Sequence, residues 1–175
     1  MKFLKILLGI IVAIVVIFFA GAIFLPTNFK VERSIIIKVP DSVAYNYTAD
    51  YNNFSKWSPW HEAEPTAKYS ISGTPNTPGY TYAWDGKEVG KGKFEIVKAE
   101  PYKALYQKLT FIEPWESSNE DNMFFENTPE GTKVTWTFAG ENKSTFDKWM
   151  SLMYDGMVGK DYQKGLDKLK IELEK

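Results

Sequence analysis

YDGMVGKDYQKGLDKLKIELEK, residues Tyr154 to Lys175, decides how the rest of the chain is read. Val158, Tyr162, Leu166, Leu169 and Leu173 recur at helical spacing, while Lys, Asp, Glu and Gln fill most other positions. That is the apolar stripe of an amphipathic helix with one dry face. Gly165 falls inside the stripe, where a side chain is expected. Glycine costs about 1 kcal/mol relative to alanine in a helix interior. Either the helix comes unusually close to its neighbour at Gly165, or it leaves room beside Met157 and Tyr162 for a guest. Just upstream, Phe146, Trp149, Met150 and Met153 lie on a different helical face. This offset predicts a short helix or loop, a break near Gly156 and Gly159, and then the long helix.

The segment before this helix reads as strands. Lys30–Val39 alternates with Val31, Ile35 and Ile37 on one side, broken only by Arg33, for which a strand-end salt bridge is the simplest reading. Pro40 and Asp41 then open a short helix, and Tyr51–Lys56 reads as a second short helix or turn before Trp57-Ser58-Pro59-Trp60. Six strands follow, at Ala67–Ser72, Tyr80–Trp84, Lys91–Lys98, Ala104–Ile112, Asn122–Asn127 and Thr132–Ala139, each bounded by Gly, Pro or Asp turns. With no helix between them they pair as an antiparallel meander. A half-apolar sheet needs a cover, and the C-terminal helix is the only long one in the domain.

Composition limits the chemistry. Aromatic residues make up 16% of the chain and include six Trp, side chains that fill cores and line ligand pockets alike. The net charge of −1 and the lack of a basic cluster give nothing for nucleic acid to bind. With no Cys and one His, thiolate sites, disulfides and a histidine metal cluster are excluded, and no cofactor is implied. Ile6–Leu25 is an uncharged apolar run long enough to cross a bilayer, preceded by Lys2 and Lys5 and closed by Pro26. Residues 1–26 therefore read as a transmembrane anchor, with a cleaved signal peptide ending near Ala20-Gly21-Ala22 as the rival, and residues 27–175 as the domain. The leading lysines favour a single-pass protein with its domain on the extracytoplasmic side, although Lys30 and Arg33 beyond the span pull the other way.

The order of elements, with Lys30–Ser34 (KVERS), Asn53–Trp60 (NFSKWSPW), Lys87–Gly92 (KEVGKG), Gly131–Gly140 (GTKVTWTFAG) and Gly159–Leu169 (GKDYQKGLDKL), resembles the START-like or SRPBCC superfamily. It is similar in particular to the polyketide cyclase/dehydrase-type branch, in a subgroup with an N-terminal membrane segment. The resemblance implies an α+β helix-grip fold: a curved antiparallel sheet of about seven strands wrapped around the long C-terminal helix, with an apolar cavity between them. It also implies binding of lipids, sterols, polyketides or other hydrophobic molecules, and in a minority of members catalysis on them. None of the matching stretches is a catalytic signature.

Candidate ligand contacts follow from the pattern. Trp57 and Trp60 flank Ser58-Pro59 as an aromatic gate, or else as a staple of the short helices onto the sheet. Tyr80, Tyr82 and Trp84 share one strand face, and Trp136 shares another with Val134 and Phe138; each set suits a cavity wall or plain core. Gln107 stands on the apolar side of its strand with Leu105, Leu109 and Phe111, where a buried amide needs a partner. Met157, Tyr162 and Gly165 complete the wall from the helix. His61 and Glu62 invite an acid–base reading at the mouth but are more simply solvated, and Gly90-Lys91-Gly92 precedes a strand and so fails as a phosphate loop. Asp155, Asp161 and Glu113 lack the spacing of paired acid–base groups.

Three functions are consistent with this sequence. A membrane-tethered carrier or sensor of a hydrophobic small molecule or lipid leads. An enzyme acting on such a molecule comes second and requires a titratable group deep in the cavity. A protein-interaction module, with a filled core and no cavity, is third.

Overall fold

The computed structural model describes residues 2–175, so that Met1, the first residue of the expected anchor, lies outside the described residues. Helix α1 (Lys2–Gly21) buries none of its side chains and is long and apolar enough to span a membrane. A short connection leads to strand β1 (Asn28–Ile37). Helix α2 (Asp41–Ala49), a single 3-10 turn (Tyr51–Asn53), α3 (Phe54–Trp57) and α4 (Pro59–Ala63) follow. Ser58 caps α4 by accepting from the His61 N–H, and Pro59 sits at the start where its missing N–H costs nothing.

Six further strands form the meander: β2 (Lys68–Ser72), β3 (Thr81–Asp85), β4 (Lys91–Glu100), β5 (Ala104–Glu113), β6 (Ser117–Thr128) and β7 (Gly131–Glu141). All neighbours pair antiparallel in the order β1-β7-β6-β5-β4-β3-β2, a single seven-stranded sheet. Strand β6 begins at Ser117, five residues before the sequence signal at Asn122. The polar run Ser117-Ser118-Asn119-Glu120-Asp121 looks like a turn by composition, but pairing with β5 from Phe111↔Ser117 onward extends it.

Helix α5 (Thr145–Leu173) corrects one expectation: it passes Gly156 and Gly159 without a break. Its start is fixed by a capping box, in which Ser144 Oγ accepts from the Asp147 N–H (3.1 Å) and the Asp147 carboxylate accepts from the Ser144 N–H (2.9 Å). The two apolar faces are both real but serve different neighbours. From Val158 onward the stripe faces the sheet, with Tyr162, Gly165, Leu166 and Leu169 buried. Before it, Phe146, Met153 and Met157 point outward, more than half exposed. Gly159 lets the Arg33 guanidinium lie across the helix, where any Cβ would collide with it, and Arg33 pairs with Asp155 at 2.9 Å. The lone charge in the inner pattern of β1 is thereby placed against the helix by an ion pair.

Candidate ligand-binding site

The centre of the helix–sheet interface is closed. Trp136 of β7 stacks on Tyr162 of α5, with centroids 4.0 Å apart and planes inclined by 12°. Trp57 meets Trp136 edge-on at 5.4 Å, and Trp60 does so at 5.8 Å. Gly165 is the consequence of this packing: a Cβ there would sit 2.9 Å from Trp136 Cζ3 and 3.4 Å from Pro59 Cδ. Of the two readings of Gly165, this contact corresponds to close approach of helix and sheet.

Beneath this stack lies a group the sequence did not flag. Asp121 of β6 is 1% exposed; Oδ1 accepts from Trp136 Nε1 (2.8 Å) and Oδ2 accepts from the Tyr162 hydroxyl. Burial pushes its carboxyl up to about 7, against the opposing pull of the hydrogen bonds from Tyr162 and Trp136. Burial, and then the neighbouring Asp121, raise the Tyr162 phenol as well. Asp121 was hidden because its stretch reads as a turn, so no alternation marked it as inward-facing. Gln107 lies close by, its Oε1 accepting from the Tyr51 hydroxyl (2.7 Å). Trp57, Gln107, Asp121 and Trp136 surround a void of only about 10 Å³, room for about one water. Trp57 Nε1 is buried there without a partner.

The open space lies to one side, over β3, β4 and β5. A groove of about 410 Å³ is lined by Phe54, Ser58, Trp60 and Ala63 from the helical segment, and by Tyr69, Tyr82, Trp84, Phe94, Leu109 and Phe111 from the sheet. Alternation puts the strand residues on one face, and the short α3–α4 turn stands off from them to leave the gap. The volume is that of a small-molecule site, and its walls are chiefly aromatic with few polar groups, as such sites require. The Tyr82 hydroxyl is buried with no hydrogen-bond partner, and burial raises its pKa above the ordinary tyrosine range. Phe54 and Phe94 line both this groove and the inner void, and so form the partition between them.

One flank of the groove is the β3–β4 turn, where Glu88 and Val89 complete the lining. The Glu64 carboxylate, just past α4, accepts from the backbone N–H groups of Lys87 (2.9 Å), Glu88 (2.8 Å) and Val89 (3.0 Å). These bonds hold its carboxyl below the usual range and latch the turn to the helical segment. Gly86 gives the carboxylate its room, since a Cβ there would strike it. A wider, more polar cleft of about 1080 Å³ adjoins on the outer side, with Lys68, Asp85, Lys87 and Glu113 on its walls.

Of the expected ligand contacts, Trp60, Tyr82, Trp84 and Phe111 meet in the groove, joined by Phe54, Tyr69 and Phe94. The strand partners Tyr69 and Phe94 were available from the same alternation that marked Tyr82. Trp57, Gln107 and Trp136 lie around the closed void instead. Tyr80 stacks on Tyr51 at 4.7 Å and donates to Asp50 Oδ1 (3.1 Å), its pKa raised by burial and then by Asp50 to about 12. Tyr162 and Gly165 belong to the sealed centre. Met157 is 55% exposed and lies elsewhere: on an unbroken helix it sits about 140° around from Tyr162. His61 packs its ring on Tyr69 at 4.5 Å, and Glu62 bridges α4 to Lys164 (3.0 Å) and Lys168 of α5.

The chain belongs to the family described as polyketide cyclase/dehydrase and lipid transport, whose sequence profile matches residues 28–174. No curated protein matches it by sequence. Among solved structures it is similar to the Aha1 dimer from Colwellia psychrerythraea, with 22% identity, TM-score 0.59, and coverage of 83% of this chain and 96% of that one. It is similar also to a protein from Rhizobium leguminosarum (17% identity, TM-score 0.61, 84% and 95% covered). A third is the di-domain aromatase/cyclase StfQ of the steffimycin biosynthetic pathway (14% identity, TM-score 0.61), of which the match spans 51% of the chain and 85% of this one. At these identities the likeness is one of fold, and it is the helix-grip fold expected of the seven-stranded sheet and its C-terminal helix.

Proposed function

We propose that this protein is a membrane-tethered carrier or sensor that holds a hydrophobic small molecule or lipid in the groove between α3–α4 and strands β3–β5. The observation that carries the reading is the groove itself: about 410 Å³ of aromatic-walled space in a domain whose centre is otherwise filled. Family membership supports the ligand class. Trp60, Tyr82, Trp84 and Phe111 supply the apolar contact. Helix α1 tethers the domain where such molecules are concentrated, with the domain on the extracytoplasmic side.

Asp121 meets the requirement that a catalytic reading places on the interior, a titratable group in low dielectric. Both of its oxygens are engaged, however, and Phe54 and Phe94 stand between it and the groove. That arrangement favours binding over reaction. The test is organic extraction of the full-length chain purified from membranes, followed by mass spectrometry of the extract. Wild type should carry a discrete apolar compound that is depleted in Ala63→Trp, a change at the exposed groove rim that fills the space. An extract identical for the two proteins would sink the proposal.

A further inference from the structure

Resting on the reading of α1 as a membrane anchor, the geometry points to a second bilayer contact: the outward face of the first half of α5, together with the β5–β6 hairpin tip, seats this end of the domain on the lipid surface. Phe146, Met153 and Met157 fall within about 40° of one another around the helix. They are 59%, 55% and 55% exposed, and a Cβ added at Gly156 beside them would meet no neighbouring group within 4 Å. Three large apolar side chains in a row on a solvated helix are an interaction surface.

What covers them is set by continuity with α1. The next residue inward, Trp149, donates from Nε1 to the Phe18 carbonyl (3.1 Å) and stacks on the Phe18 ring at 6.2 Å, while Lys148 Nζ donates to the Ala22 carbonyl (3.1 Å). The start of α5 is therefore fixed to the last turn of α1, where a spanning helix leaves the hydrocarbon. A Trp and a Lys at that level are the usual residues of a membrane interface. The acidic neighbours are turned away, Asp147 to the helix cap and Asp155 to Arg33.

The sheet places a second contact at the same end. Asn28, the first residue of β1, pairs with Glu141 at the end of β7. Because Glu120 pairs with Ala139, Ser117 and the turn before it extend past Glu141. At the tip of that turn Trp115 is 77% exposed. The register Lys91↔Glu113 and Asp85↔Lys91 brings the β3–β4 turn, with Glu88 and Val89 on the groove, to this end as well. A domain seated this way opens its groove toward the bilayer, so that an apolar ligand enters without crossing water.

The chain has no Cys, so single cysteines can be introduced one at a time and spin-labelled in the full-length protein. In phosphatidylcholine vesicles, labels at Ile14→Cys, Met153→Cys and Trp115→Cys should be relaxed several-fold more by oxygen, relative to a water-soluble nickel chelate, than a label at Glu130→Cys. Glu130 is exposed on the β6–β7 turn at the opposite end of the sheet. If Ile14 itself reads as aqueous, the anchor fails and this seat with it. If Ile14 reads as lipid while Met153 or Trp115 reads like Glu130, the anchor stands and the seat is wrong. Spin–spin broadening at Met153 without oxygen access would assign the stripe to a second copy of the chain and likewise overturn the proposal.

Discussion

Asp121 ties three elements together through one carboxyl group, and its chemistry makes the tie depend on pH. In the unfolded chain an aspartate titrates near 3.9; in the folded domain burial raises it to about 7. Between those values the native state holds a proton that the unfolded state has lost, so stability is greatest at the low end of the window. It declines as pH rises toward 7, at a limiting slope of roughly 1.4 kcal/mol per pH unit. Asp121→Asn keeps the shape and an acceptor for Trp136 Nε1, and should flatten that slope in denaturant unfolding of the detergent-solubilised chain at pH 5 and pH 8. Gly165 gives a second test. Ala adds about 1 kcal/mol of helix propensity against a contact at 2.9 Å from Trp136 and should be near neutral. Gly165→Leu wedges the helix from the sheet and should cost about 1–3 kcal/mol, read as a lower midpoint in the same experiment. At Tyr82 the expectation is opposite in kind. Tyr82→Phe removes an unsatisfied buried hydroxyl, so the empty domain should lose no stability. Because that hydroxyl is enclosed by protein, ligand uptake in the groove should be unchanged in the same variant, read by extraction and mass spectrometry.

At the level of elements, the Glu64 carboxylate latches the β3–β4 turn to the helical segment. Protonating Glu64 removes the charge that three backbone N–H groups converge on. Since its folded pKa is depressed, the latch is intact above the ordinary glutamate range and is lost as pH falls through the lowered value. Glu64→Gln at neutral pH should therefore speed amide exchange at Lys87, Glu88 and Val89 while leaving β6 and β7 protected, measured by hydrogen exchange. The latch was not legible in the sequence, because Glu64 and the residues it holds are separated by two strands and nothing local marks them. The strands themselves were legible wherever apolar alternation was strong, as at Tyr80–Trp84 and Ala104–Ile112. They were not at Ser117–Asp121, where pairing overrides a polar composition. The offset of Phe146 and Met153 from the Val158 stripe was visible too, but a change of apolar face has two physical causes, a broken helix or a helix with two partners. Periodicity does not separate them; the unbroken α5 and its contact with α1 do.

For the molecule as a whole, the sequence located the fold and the aromatic residues but misplaced the cavity. An apolar stripe and an apolar sheet face define which surfaces meet, and how far apart they stand depends on which side chains stack. Here Trp136 on Tyr162, with Gly165 behind them, closes the middle, and the aromatic-walled space lies where α3 and α4 stand off β3–β5. Four of the residues singled out from the sequence line that space, while others fill the centre that was expected to be hollow. An aromatic groove flanked by a latched turn is what the proposed carrier function requires. The most direct test is photo-crosslinking of the full-length chain in membranes with a diazirine-bearing fatty acid, followed by peptide mapping. Labelling should concentrate on groove residues such as Trp60, Tyr82 and Phe111, and should fall in Ala63→Trp. Labels confined to α1, or unchanged by that substitution, would contradict a ligand site in the groove.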